Sequence, residues 1–150
     1  MPLGLHPVIP RTLIPCVLGL GICLDGRAQR APLTVIARDY AFQVPDTLPA
    51  GPATLVLANR GTVRHEMVLI RLREGRTLSD ALAAKTPEAQ EAVADAAIAV
   101  LFAEPGHDSL GRIEVDLTAG RRYVLLCSLR DAPDKPPHIA LGMAGSFYVR

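Results

Sequence analysis

A sparse set of soft donor side chains stands out in this 150-residue chain: Cys127, His138 and Met143 close together near the C-terminal end, and His65 far upstream. A cysteine thiolate is a strong, soft metal donor, and neutral imidazoles bind both oxidation states of copper. A distant thioether tunes the potential without forcing the geometry of either state. Two imidazoles, a thiolate and a thioether are the donor set of a blue copper electron-transfer centre. A geometry that suits both oxidation states needs little rearrangement when an electron arrives, and exchange is then fast.

The other two cysteines sharpen this reading. Residues 1–28 have the layout of a secretory signal: Arg11 as a short basic start, an apolar run from Thr12 to Leu24, then Asp25-Gly26-Arg27-Ala28 with small residues at the cleavage site. The run is shorter than the roughly 20 apolar residues that cross a bilayer, and Pro15 interrupts it. A lipoprotein signal ending at Cys23 is the alternative, although Ile22 is bulky where a small residue is favoured. Cleavage near Ala28 removes Cys16, Cys23 and His6, leaving Cys127 as the one thiol of an exported protein, with no internal disulfide partner. Export to a periplasmic or extracellular space is therefore the expectation.

The remaining residues 29–150 fit one domain. Removing Arg11, Arg27 and Asp25 from 16 basic and 15 acidic residues leaves 14 of each, a formal charge of zero. That balance argues against a nucleic-acid partner, which demands a basic footprint. With three Tyr, three Phe and no Trp, no aromatic platform for stacking is evident.

The elements that must position the four donors read as short strands. Leu33 to Ala37 alternates and continues through Phe42 and Val44. Ala53 to Ala58 is bounded by Pro49-Ala50-Gly51-Pro52 and Asn59-Arg60-Gly61. Glu66 to Leu72, Arg112 to Leu117, Tyr123 to Cys127 and Ser146 to Arg150 follow. Six or seven such strands, separated by Gly/Pro turns, predict an all-β Greek-key sandwich. Cys127 then closes a strand, His65 begins one, and loop ligands plus a distant strand ligand pin two sheets together.

Thr77 to Glu104 breaks the pattern. Its alanines, the capping-box pair Thr77 and Asp80, and Thr86-Pro87-Glu88 predict a helical insertion over residues 77–104. In its second helix Val93, Ala97, Val100 and Leu101 share a face, while Ile98 and Phe102 point elsewhere. The insertion packs on the flank of the sandwich or offers a partner-docking surface. His107, between Gly106 and Asp108, reads as a loop residue without a role.

Asn59, Gly61 and His65 before an apolar strand, then Tyr123 to Cys127, then His138-Ile139-Ala140-Leu141-Gly142-Met143-Ala144-Gly145, resemble the cupredoxins, the plastocyanin- and pseudoazurin-like type 1 copper domains. The His-to-Met spacing and the Gly-Met-x-Gly ending are similar to the ligand loop of copper nitrite reductases. The resemblance covers residues 33–150 outside the insertion. It implies one type 1 copper ion with His65, Cys127 and His138 as equatorial ligands and Met143 as the axial one. The ten residues between Cys127 and His138 depart from the much shorter loop of small cupredoxins.

The expected function is a single-electron carrier between redox partners. His138 then lies near the surface, with Pro136, Pro137, Ile139, Ala140 and Leu141 forming an apolar patch for transient docking. A copper carrier or sequestration protein, and a metal-free cupredoxin-like binding module, are the alternatives. An enzyme is not expected. Catalytic copper needs further histidines, and only His107 remains; neither a nucleophile triad nor a phosphate loop is visible.

Overall fold

The computed structural model describes residues 31–150. The expected export signal over residues 1–28, with its lipidation alternative at Cys23, lies outside the described residues. In chain order the elements are β1 (Leu33–Arg38), β2 (Ala41–Gln43), β3 (Thr47–Leu48), β4 (Gly51–Asn59), β5 (His65–Leu72), α1 (Leu78–Ala83), α2 (Pro87–Val93), β6 (Ala94–Ala103), β7 (Ile113–Leu117), β8 (Arg122–Leu126) and β9 (Ala144–Val149). A single 3-10 turn, His138–Leu141, precedes β9.

The period-two pattern of the strands builds two sheets with one buried layer between them. The first has the order β2-β1-β4-β7 and the second β3-β9-β8-β5-β6. Both are mixed: β1 runs parallel to β4 and β3 parallel to β9, while the other pairs are antiparallel. Val35 and Ala37 of β1 and Leu55 and Leu57 of β4 are fully buried. They face Met67 and Leu69 of β5, Leu125 of β8 and Phe147 and Val149 of β9 across one core. The rings of Tyr123 and Phe147 stack in that core at 5.3 Å and 4°. Tyr123 satisfies its hydroxyl by accepting from the Thr118 N–H at 3.0 Å. The sandwich expected from the alternation is the observed architecture.

The insertion is helical only in its first part. Thr77 and Asp80 form the reciprocal capping box that opens α1, and Thr86 caps α2 with Pro87 in its first turn. The helices lie on the outer face of the second sheet, where Val93 closes over Leu72 of β5 and Val124 of β8.

Residues 94–103, expected to be helix, form a ten-residue edge strand paired with β5 from His65↔Ala103 to Leu72↔Ala94. The alanines favour helix intrinsically, yet propensity is weak against a tertiary partner. Beyond Ala97 the side chains alternate as a strand requires. Leu101 and Ala103 enter the core, and Ile98, Val100 and Phe102 face outward, 39–42% exposed. Leu101 and Val100 therefore do not share a face.

Candidate metal centre

The paired strands bring the first two donors together. His65 is the first residue of β5 and Cys127 the first residue past β8, and these strands are hydrogen-bonded neighbours in antiparallel register. Both ligands thus come from one sheet, and the expectation that they pin two sheets together is corrected. The other sheet reaches the site through Asp39, just past β1, and Asn59, the last residue of β4.

The long loop after Cys127 is gathered by its own backbone. The His138 N–H donates to the Leu129 carbonyl and the Ile139 N–H to the Cys127 carbonyl, both at 2.8 Å. The Met143 N–H donates to the His138 carbonyl at 2.9 Å, and the Cys127 N–H to the Met143 carbonyl at 3.3 Å. Gly142 ends the 3-10 turn at φ 104°, a left-handed conformation that favours glycine. The extra residues bulge outward as a side loop, so their number does not separate Cys127 from His138.

Three donors converge. His138 Nδ1 lies 3.3 Å from His65 Nδ1 and 3.3 Å from Cys127 Sγ. One donor atom from each of the three buried residues falls within 4.8 Å of the others. The Glu66 N–H points at Cys127 Sγ at 3.4 Å. Met143 is completely buried at the same end of the sandwich, tied through its backbone to both Cys127 and His138.

Each imidazole is held from behind by a carboxylate. His65 Nε2 lies 2.9 Å from Asp39 Oδ1, and His138 Nε2 lies 2.8 Å from Asp131 Oδ1. Thr62 fixes Asp39, its N–H and hydroxyl donating to Oδ2 at 2.9 and 2.6 Å. Tyr40 donates its hydroxyl to Asp131 Oδ2, and its ring packs 4.8 Å from that of His138. His138 is consequently 1% exposed. It lies beneath Tyr40 and Asp131, which corrects the expectation of a ligand at the surface.

The charges around the rings determine where the ring protons sit. Partial burial raises the pKa of Asp39, but the Thr62 hydroxyl and N–H together with His65 outweigh it and bring the value down to about 2. Hydrogen bonds from Tyr40 and His138 likewise hold Asp131 below the usual carboxylate range. Burial lowers the pKa of His65 despite the opposing pull of Asp39, which favours a neutral ring. An ionised carboxylate only accepts, so each Nε2 is the donor, and in a neutral ring Nδ1 is then the acceptor. The two Nδ1 atoms face one another across 3.3 Å beside a sulfur, an arrangement that a shared cation would join. Two imidazole nitrogens about 2 Å from one transition-metal ion in a trigonal plane stand about 3.5 Å apart. The donor set fits an ion. Burial raises the Cys127 pKa, reinforced by the Glu66 and Asp131 charges and opposed by N–H groups, so the thiol keeps its proton until a metal displaces it.

Three further residues, Asn59, Gly61 and Glu66, support the site in ways the sequence reading did not assign. Buried Asn59 donates to the Val63 carbonyl at 2.8 Å and the Ala103 carbonyl at 3.0 Å, and accepts from the Gly61 N–H at 2.8 Å. It shapes the turn that delivers His65. A Cβ at Gly61 would run into the Asp39 carboxylate and come 3.0 Å from His65 Nε2, so only glycine lets that carboxylate reach the ring. Glu66, the residue after His65, accepts from the N–H of Ser128, the residue after Cys127, at 2.7 Å and from its hydroxyl. A polar residue directly following each strand ligand was the available signal. Asp39, Tyr40 and Asp131 carried none, because aspartates in turns are common for reasons of backbone geometry alone. His107 is exposed, with its carbonyl accepting from the Asn59 N–H, and contributes no side chain to the site.

Among solved structures the chain is similar to auracyanin B, with 21% identity over 81% of this chain and 91% of that one and a TM-score of 0.50. Auracyanin A of Chloroflexus aurantiacus, described as a blue copper protein, matches at 22% identity over 80% of this chain and all of that one, with a TM-score of 0.46. An azurin of Methylomonas sp. strain J matches at 16% identity over 78% and 95% of the two chains, also with a TM-score of 0.46. No protein-family model and no curated sequence matches the chain. The likeness to auracyanin B establishes the architecture, a cupredoxin β-sandwich.

Proposed function

We propose that this cupredoxin-fold chain is a small exported type 1 copper protein that carries single electrons between redox partners. The observation that carries the proposal is the convergence of two imidazole Nδ1 atoms and one thiol sulfur in a buried site, with both Nε2 atoms engaged by carboxylates. His65, Cys127 and His138 would hold the copper, with Met143 as the fourth donor. Copper held there supplies a one-electron couple.

The chain's own residues do the rest. Cys127 would have to lose its proton for a metal to bind, and the Glu66 N–H would then donate to a thiolate. The Glu66–Ser128 tie and the Cys127–Met143 backbone bond hold the sulfur in place. Buried ligands held by such bonds would need little reorganisation on electron transfer. We read the protein as a carrier and not an enzyme. A redox protein docks transiently beside His138, where Pro136, Ala140 and Leu141 are exposed and Pro137 and Ile139 half-buried.

The test is a visible absorption spectrum after adding Cu(II) to the metal-free protein. Intense red absorption from thiolate-to-copper charge transfer is expected, and Cys127→Ser is expected to abolish it. Retention of the band in Cys127→Ser, or its absence from the parent protein, would overturn the assignment.

A further inference from the structure

We propose that Asp39 and Asp131 are positioning residues of this centre, which fix both ligand imidazoles as Nε2–H tautomers from outside and lower the reduction potential through their negative charge. The inference rests on the copper reading for its second half only; the tautomer claim concerns the metal-free chain.

The geometry is two-fold. Asp39 comes from the turn after β1, is anchored by Thr62 and meets His65 Nε2 at 2.9 Å. Asp131 comes from the loop after Cys127, is anchored by Tyr40 and meets His138 Nε2 at 2.8 Å. Two unrelated segments thus do the same thing to two ligands. A ring that donates through Nε2 to a carboxylate presents Nδ1 as a lone pair and becomes a stronger electron donor at that atom. Both rings then favour the more highly charged oxidation state, and two anions close by favour it again through space. Copper(II) is stabilised relative to copper(I), which is a lower potential. Gly61 is part of the arrangement, since a side chain there would occupy the position of the Asp39 carboxylate.

Tyr40 sets the opposite sign. Its hydroxyl draws on the Asp131 charge, so removing it leaves Asp131 a stronger acceptor from His138. Asp39→Asn and Asp131→Asn keep a hydrogen-bonding group of the same size but remove the charge, so both raise the potential. Tyr40→Phe lowers it.

The experiment has two parts on the full chain. Nitrogen-15 NMR of metal-free protein labelled in histidine reads the tautomers of His65 and His138 directly; protonated Nε2 and unprotonated Nδ1 are expected in both. An Nδ1–H tautomer in either ring overturns the positioning role. Voltammetry of the Cu(II)-loaded forms then compares potentials. Each Asp→Asn substitution is expected to shift the Cu(II)/Cu(I) equilibrium about tenfold toward Cu(I), or about 59 mV upward for one electron, with a smaller downward shift for Tyr40→Phe. Unchanged potentials in Asp39→Asn and Asp131→Asn with the red band intact make the carboxylates structural only, and overturn the tuning claim while sparing the copper reading. Where an Asn variant fails to fold, the parent tautomers and the sign of the Tyr40→Phe shift decide. Parent protein that takes up no copper overturns the copper reading and the tuning claim together, and leaves the tautomer result to stand or fall alone.

Discussion

Replacing Asn59 by alanine removes three hydrogen bonds from a residue that is fully buried. Two join β4 to the Val63 and Ala103 carbonyls, and the third holds the Gly61 N–H, so the whole turn into β5 hangs on one amide. Each such bond contributes about 1 kcal/mol net, and the partners left behind have little water to turn to. Their sum is about 3 kcal/mol, roughly a 150-fold change in the folding equilibrium. Against an ordinary domain stability of about 5–15 kcal/mol that is a large share. Urea unfolding of the metal-free protein measures it, and the midpoint is expected to fall while the slope stays constant. Arg112→Ala is the control. It breaks an ion pair with Glu114 whose side chains are 65% and 60% exposed, and is expected to cost under about 1 kcal/mol. An Asn59→Ala loss no larger than that of the control refutes the reasoning that this amide holds the His65 turn.

Two predictions concern the metal. Met143→Leu is expected to keep the red absorption and raise the potential, by on the order of 60 mV for each tenfold loss of Cu(II) preference. Disappearance of the band would instead make the thioether essential to the centre. Burial raises the Cys127 pKa, so below that raised value the metal-free thiol is protonated and metal entry releases one proton. Cu(II) affinity is therefore expected to rise about tenfold per pH unit through neutrality and to fall correspondingly on acidification. Calorimetry in buffers of different ionisation enthalpy counts the proton, and a release of zero would contradict a thiolate ligand.

Donor chemistry is written in side-chain types, which is why His65, Cys127 and His138 were legible as a set before any coordinates. The sandwich was legible for a related reason: alternation in β1 and β7 states directly which residues face the core. Ala94–Ala103 was not, because its alanines carry a helical preference while its pairing with β5 is a long-range fact. The buried position of His138 was hidden in the same way. Neither Tyr40 nor Asp131 announces that the two will meet over the ring, for they are 91 residues apart. Loop length was uninformative here, since counting residues from Cys127 to His138 measures contour and not distance.

The bond from the His138 N–H to the Leu129 carbonyl closes the neck of the segment between them. Within that segment only Asp131 reaches back to a ring, and Lys135 folds onto Ala132 through a turn of its own. Residues 132–135 therefore form an appendage whose length can be varied by trimming, extending or grafting, while the His65–Cys127–His138 cluster beneath keeps its shape.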